Sequence, residues 1–167
     1  MPIERLVVNA SPLITLFRSG LEEILPALCP HVVVPDTVWQ EVIEGGHQDA
    51  AAIGLNNTNW AIHRPAETVE TVVQAWDLGA GESAVLSFAR THPDFIAVLD
   101  DAAARQCGRA LEVRVIGTGG LLVQAKREGI IPSVAGALRE LKKAGLWLAP
   151  EIEQMLLEIA HEGGVHE

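Results

Sequence analysis

Cysteine is scarce, with two among 167 residues, Cys29 and Cys107. Two thiols this far apart make neither a disulfide framework nor a zinc-ligand pair, and a reducing cytoplasm fits them best. Basic charge is scarce too: 12 Lys and Arg stand against 22 Asp and Glu, a formal charge of −10. A chain this acidic has no general attraction for phosphate backbones, so a nucleic-acid role needs a local basic patch or bound cations. No apolar run approaches the ~18 residues of a membrane span. The opening MPIERLVVNASPL sets Glu4 and Arg5 before an apolar stretch too short for the hydrophobic region of a signal peptide. Repeats, low-complexity runs and linkers are missing. The GTGG at 117–120 is too short for a dinucleotide fingerprint, and no GK[ST] follows it, which argues against a nucleotide cradle.

What is present is apolar. Hydrophobic residues make up 49% and charged residues 20% of the chain, and mean hydropathy is +0.23. That composition fills a core and excludes a disordered chain. It also implies apolar surface turned toward a partner, most simply a second copy in a homodimer burying at least ~1,200 Å² in total.

Short β-branched runs alternate with helical stretches. Strands are expected at Leu6–Val8, His31–Val34, Trp60–His63, Phe95–Leu99 and Val113–Ile116. Ser11 can cap the helix after the first strand, with Pro12 at its first position. Asp36 or Thr37 can cap a helix running through Ile43, and a loop opens at Gly45 with the GGH of 45–47. Further helices are expected around Asp49–Leu55, from Pro65 to Trp76, from LGAG (78–81) to Arg90, over Asp101–Arg109 and over Gly119–Glu128. Two terminal helices, Ser133–Ala144 and Pro150–His161, close the chain. This alternation describes one α/β domain over 1–167: an open parallel sheet of about five strands with helices on both faces. Its core spans about 5–150, with an appended helix at about 150–161.

Open parallel sheets place their sites beyond the carboxyl ends of the strands, where strand order reverses. The first strand runs into Asn9, Ala10 and Ser11, and the apolar FIAVL runs into Asp100 and Asp101. Glu41 lies on the helix after the second strand, and Glu82 in the first turn of the helix opened by GAG. Gathered carboxylates repel unless a cation neutralises them, and Mg²⁺ or Mn²⁺ prefers such oxygen ligands. Each residue also has a plain structural reading. Glu41 suits an exposed helix face and Glu82 a helix N-terminus. One of Asp100 and Asp101 suits an N-cap, as does Thr118 after the fifth strand, while Asn9 and Ser11 suit turn chemistry. Trp39, Trp60, Trp76 and Trp147 read as core or interface, and His161 and His166 are set aside as ligands.

Five segments carry a resemblance: LVVNASPLITL, VVVPDTVWQEV, LGAGESAVLSFA, FIAVLDDAAAR and VIGTGGLLVQAKREGIIP. In this order and spacing they resemble the PIN domain, more closely a PIN-like subgroup related to VapC-type toxins. The resemblance covers roughly residues 5 to 150. It implies a metal-dependent ribonuclease with four acidic positions, often paired in prokaryotes with an antitoxin protein. Those positions fall on Asn9, Glu41, Glu82 and the Asp100–Asp101 pair, with Asp101 favoured and Asp100 beside it. Residues 9, 41, 82, 100 and 101 are thus the implied Mg²⁺ or Mn²⁺ ligands. Ser11, Thr118 and Arg105 stand as substrate-contacting or supporting groups, and Lys126 and Arg127 as further candidates for the RNA backbone.

Asn9 departs from the family's Asp. An amide oxygen coordinates Mg²⁺ but brings no charge, so metal affinity falls. Two functions follow: a single-strand RNA endonuclease, the toxin of a toxin–antitoxin pair, or a PIN-fold module that only binds RNA or protein. A receiver-like signalling domain ranks third, because its acidic pair follows the first strand and a Lys follows the fifth. Here those places hold Asn9 and Gly117–Thr118.

Overall fold

The computed structural model describes residues 3–46, 49–65 and 67–162; His47 and His166 lie outside the described residues. From the N-terminus, β1 (Arg5–Val8), α1 (Ala10–Ser19), α2 (Ile24–Leu28), β2 (His31–Pro35), α3 (Asp36–Glu44) and α4 (Ala50–Asn57) lead to β3 (Ala61–Arg64). Then come α5 (Thr71–Gln74), α6 (Ala80–Thr91), β4 (Ile96–Val98), α7 (Ala102–Ala110) and β5 (Val115–Ile116). The chain closes with α8 (Thr118–Arg127), α9 (Val134–Lys143) and α10 (Pro150–Ile159).

The five strands form one all-parallel sheet in the order β3-β2-β1-β4-β5. Helices surround it, and the chain has the expected α/β architecture. Leu6, Val7, Val8, Val32, Val33, Val34, Ala97 and Val98 are all buried. Central parallel strands covered on both faces need this unbroken apolar run. The chain moves outward from β1 through β2 to β3, then returns to the other side of β1 for β4. Strand order therefore reverses between β1 and β4, which places a crevice at their carboxyl ends.

Several elements differ from the sequence expectation. Asn9, not Ser11, occupies the N-cap of α1, leaving Ser11 exposed in the first turn. Pro35 is both the last residue of β2 and the N-cap of α3, so neither Asp36 nor Thr37 caps that helix. The helix expected from Pro65 shrinks to the single turn of α5, because exposed polar residues before it give it no apolar face to bury. The short α2 carries Pro26 and escapes any periodicity test. No described helix is long and apolar enough to cross a membrane.

Lys126 is not free to meet RNA. Its ammonium donates to the Ala160 carbonyl at 2.9 Å and to Glu162 at 2.7 Å. Glu162 also accepts from the Val134 and Ala135 amides at 2.7 and 2.9 Å. One carboxylate thus serves the exposed donors at the start of α9 and ties α8 and the end of α10 to it.

Burial pushes the Glu162 carboxyl up, but the hydrogen bonds from Lys126, Ala135 and Val134, with the Lys126 charge, outweigh it and hold the group at about 2. A carboxylate with a depressed folded pKa stabilises above its unfolded value and loses that contribution as pH falls through the folded one. Thermal unfolding followed against pH should therefore show stability falling as pH drops from 4.5 toward about 2. Glu162→Gln should melt lower at neutral pH and flatten that acid slope; an unchanged slope would remove this role for Glu162.

Candidate functional site

The site is built outward from the end of β1. Asn9 is 2% exposed and sits at the N-cap of α1, yet its side chain makes no cap hydrogen bond. Asparagine is among the best N-caps, so the side chain has been drawn elsewhere. Its Nδ2 donates to Glu82 Oε2 at 3.2 Å. Its Oδ1 is buried without a partner. A buried oxygen with no donor costs ~1–3 kcal/mol, and here the unmet acceptor lies beside the other candidate ligands.

Gly81 makes the approach possible. A Cβ there would lie 2.7 Å from Glu41 Oε1 and 2.9 Å from Asn9 Oδ1. A side chain at 81 would occupy the space these oxygens share. Glu82 follows in the first turn of α6, where the helix N-terminus favours negative charge. Val38 and Val42 are the buried residues of α3, which leaves Glu41 on its flank toward α6. Burial, and then the charge of Glu82, raises the Glu41 carboxyl above its ordinary value.

Asp100 and Asp101 diverge. Asp100 accepts from the Thr118 amide at 2.8 Å and the Thr118 hydroxyl at 2.6 Å. Thr118 is fully buried at the start of α8, so this double bond ties the end of β4 to the turn after β5. A Cβ on Gly117 would lie 3.1 Å from Arg105 Nη1 and 3.2 Å from Asp100 Oδ1, so both side chains border Gly117. The Arg105 Nε is buried without a partner. Asp101, the favoured fourth position, is exposed and accepts from the Ala104 amide at 2.9 Å as the N-cap of α7.

Asn9, Glu41 and Glu82 therefore meet around Gly81. Asp100 with Thr118 and Arg105 forms a neighbouring group at the same sheet edge, Asp101 caps a helix, and Ser11 stays exposed. Among the described residues no three His, Cys, Asp or Glu side chains gather as a metal-holding group. The Thr118 amide and hydroxyl, from the turn after β5, engage Asp100, and the Ala104 amide engages Asp101. The donor set is two carboxylates and one amide oxygen, and the unpartnered Asn9 Oδ1 among them suits a hard cation. Sequence reasoning missed Gly81, whose signal was its place before Glu82. It also missed Asp36 and His63, which pair at the end of β3.

The PIN-domain family model matches residues 5–162 of the chain. No curated protein matches it.

The coupling between Glu41 and Glu82 can be read directly. An NMR titration of the Glu41 carboxyl should give a value above that of an ordinary glutamate. Glu82→Gln should bring it part of the way down, since burial is the larger cause. An unmoved Glu41 would show that the two carboxylates do not share one site.

Proposed function

The chain belongs to the PIN-domain family, matched over residues 5–162, and from that membership and the site's donors we propose a divalent-metal-dependent endonuclease acting on single-stranded RNA. The observation that carries the reading is the unpartnered Asn9 Oδ1 beside Glu41 and Glu82. Asn9, Glu41 and Glu82 would hold Mg²⁺ or Mn²⁺, with Asp100 completing the site from the neighbouring group. When bound, a divalent ion supplies activation of water for in-line attack on a phosphodiester and neutralises the developing charge.

The chain's own residues prepare that chemistry. Glu41 and Glu82 supply the negative charge that draws a cation into an otherwise repulsive crevice. Asn9 orients Glu82 through its amide N–H. Thr118 fixes both oxygens of Asp100, and Arg105, which borders Gly117 as Asp100 does, would offer a cation to an approaching phosphate. The net charge of −10 is compatible with RNA on this reading, because cations bridge carboxylates to phosphates. The sequence likeness to VapC-type toxins supports a toxin role with an antitoxin protein as partner. Free, buried Cys29 and Cys107 support a reducing cytoplasm. Trp147, 78% exposed, and the exposed Ile152, Met155 and Ile159 of α10 support a homodimer.

One observation favours a second reading. The Asn9–Glu82 hydrogen bond steadies Glu82 without an ion, as suits a PIN fold that binds RNA or protein and no longer cleaves.

Asn9→Asp separates the two. It adds a charge with almost no change of volume, and should tighten Mn²⁺ binding by about tenfold, ~1.4 kcal/mol. For a nuclease, cleavage of a generic RNA rises with it; for a binding module, metal affinity rises alone. Glu82→Gln should lose both. Calorimetric titration with Mn²⁺ beside a cleavage assay decides, and an Asn9→Asp affinity equal to wild type would remove residue 9 from the ligand set.

A further inference from the structure

A second group at the same sheet edge is outside the acidic set. Trp39, on α3, and His63, on β3, lie ring on ring, with centroids 4.2 Å apart and planes 5° from parallel. His63 Nε2 meets Asp36 Oδ1 at 2.7 Å, and this contact fixes the imidazole plane. Trp39 packs against the core from beneath, while the His63 side chain is 41% exposed. Its Nδ1 has no hydrogen bond among the described residues. The pair is therefore a rigid aromatic surface, anchored on one side and open on the other.

Its position relates it to the carboxylates. His63 pairs in register with Val34, one residue before the end of β2, so it stands at the carboxyl edge. Trp39 and Glu41 are two residues apart on α3 and project from nearly opposite flanks, since each helical residue turns by about 100°. Trp39 turns to β3 and Glu41 to α6. Two strand spacings, roughly 10 Å, separate β3 from β1, a distance that an extended nucleic-acid strand covers in one or two nucleotides.

We infer that the Trp39–His63 pair is a base-stacking platform at this edge of the sheet, on which one nucleobase of single-stranded RNA lies against the partly exposed imidazole. Stacking on aromatic rings is the sequence-tolerant way proteins hold single strands, because every base has a π-face. It is also a contact an acidic protein can offer without a positive surface. Asp36 holds the ring at the angle set by Trp39, and the free Nδ1 reaches toward a base edge or ribose hydroxyl. The inference rests on the nuclease reading for its substrate, and its test is chosen to stand apart from cleavage.

The test measures binding, with Ca²⁺ present to screen the acidic surface, of two probes of equal length, a short oligouridylate and a strand of abasic ribose-phosphate spacers. His63→Ala should weaken the oligouridylate by about fivefold or more, the lower end of what base–aromatic stacking supplies, and leave the abasic strand unchanged. His63→Phe, which keeps the stack without the imidazole, should recover most of the loss. Equal oligouridylate binding by wild type and His63→Ala would overturn the platform. So would an equal loss for both probes, which marks a phosphate contact. Mn²⁺-stimulated cleavage of the oligouridylate is assayed separately. Base-dependent binding without cleavage upholds the platform and removes the nuclease reading, whereas cleavage without dependence on His63 does the reverse.

Discussion

Glu41 and Glu82 are brought to one place by two helices that the sheet itself positions, and both carboxylates come to the buried amide of Asn9 across Gly81. Burial and the charge of Glu82 raise the Glu41 carboxyl, Asn9 turns its amide N–H to Glu82, and Gly81 gives up a side chain so that the oxygens can approach. Each bears on two carboxylates held close together at the surface. None satisfies Asn9 Oδ1, which remains a buried acceptor with no donor. A hard cation is the ligand proposed for these groups, and membership of the PIN-domain family supports that proposal.

The sheet explains why the crevice lies where it does. With the order β3-β2-β1-β4-β5, the chain reverses direction across β1, and the loops leaving β1 and β4 part to opposite sides. Asn9 and Asp100 emerge at that parting, and the helices carrying Glu41 and Glu82 meet over it. The Thr118–Asp100 pair closes the far side. Beyond α3, at the end of β3, lies the Trp39–His63 stack, held by Asp36. An acidic chain can thus combine an electrostatic centre for cations with an aromatic contact for bases.

Much of this was legible before any coordinates. Runs such as HVVV and FIAVL read as buried strands, the carboxyl-edge rule points to residues 9, 100 and 101, and the resemblance to PIN domains adds Glu41 and Glu82. Directions were not legible. Whether Asp100 or Asp101 turns to its own helix depends on Thr118, 18 residues away from Asp100 on another strand's turn. Lys126 read as a candidate for the RNA backbone, and Glu162, 36 residues further on, holds it instead. The region before α6 misled because its polar residues carry no periodicity, and its single helical turn is held by buried Val73 and by the Glu70 amide donating to Ser87 Oγ at 3.1 Å. Trp39 read as core or interface, since nothing local announces that His63 will cover it.

The central claim is that Asn9, Glu41 and Glu82 form one cation site. Anomalous diffraction from a crystal soaked in Mn²⁺ tests it most directly. The account predicts a manganese peak within coordination distance of Asn9 Oδ1 and of a carboxylate oxygen from both Glu41 and Glu82. A peak bound only by Asp100 or Asp101, or no peak at this edge of the sheet at saturating Mn²⁺, would contradict it.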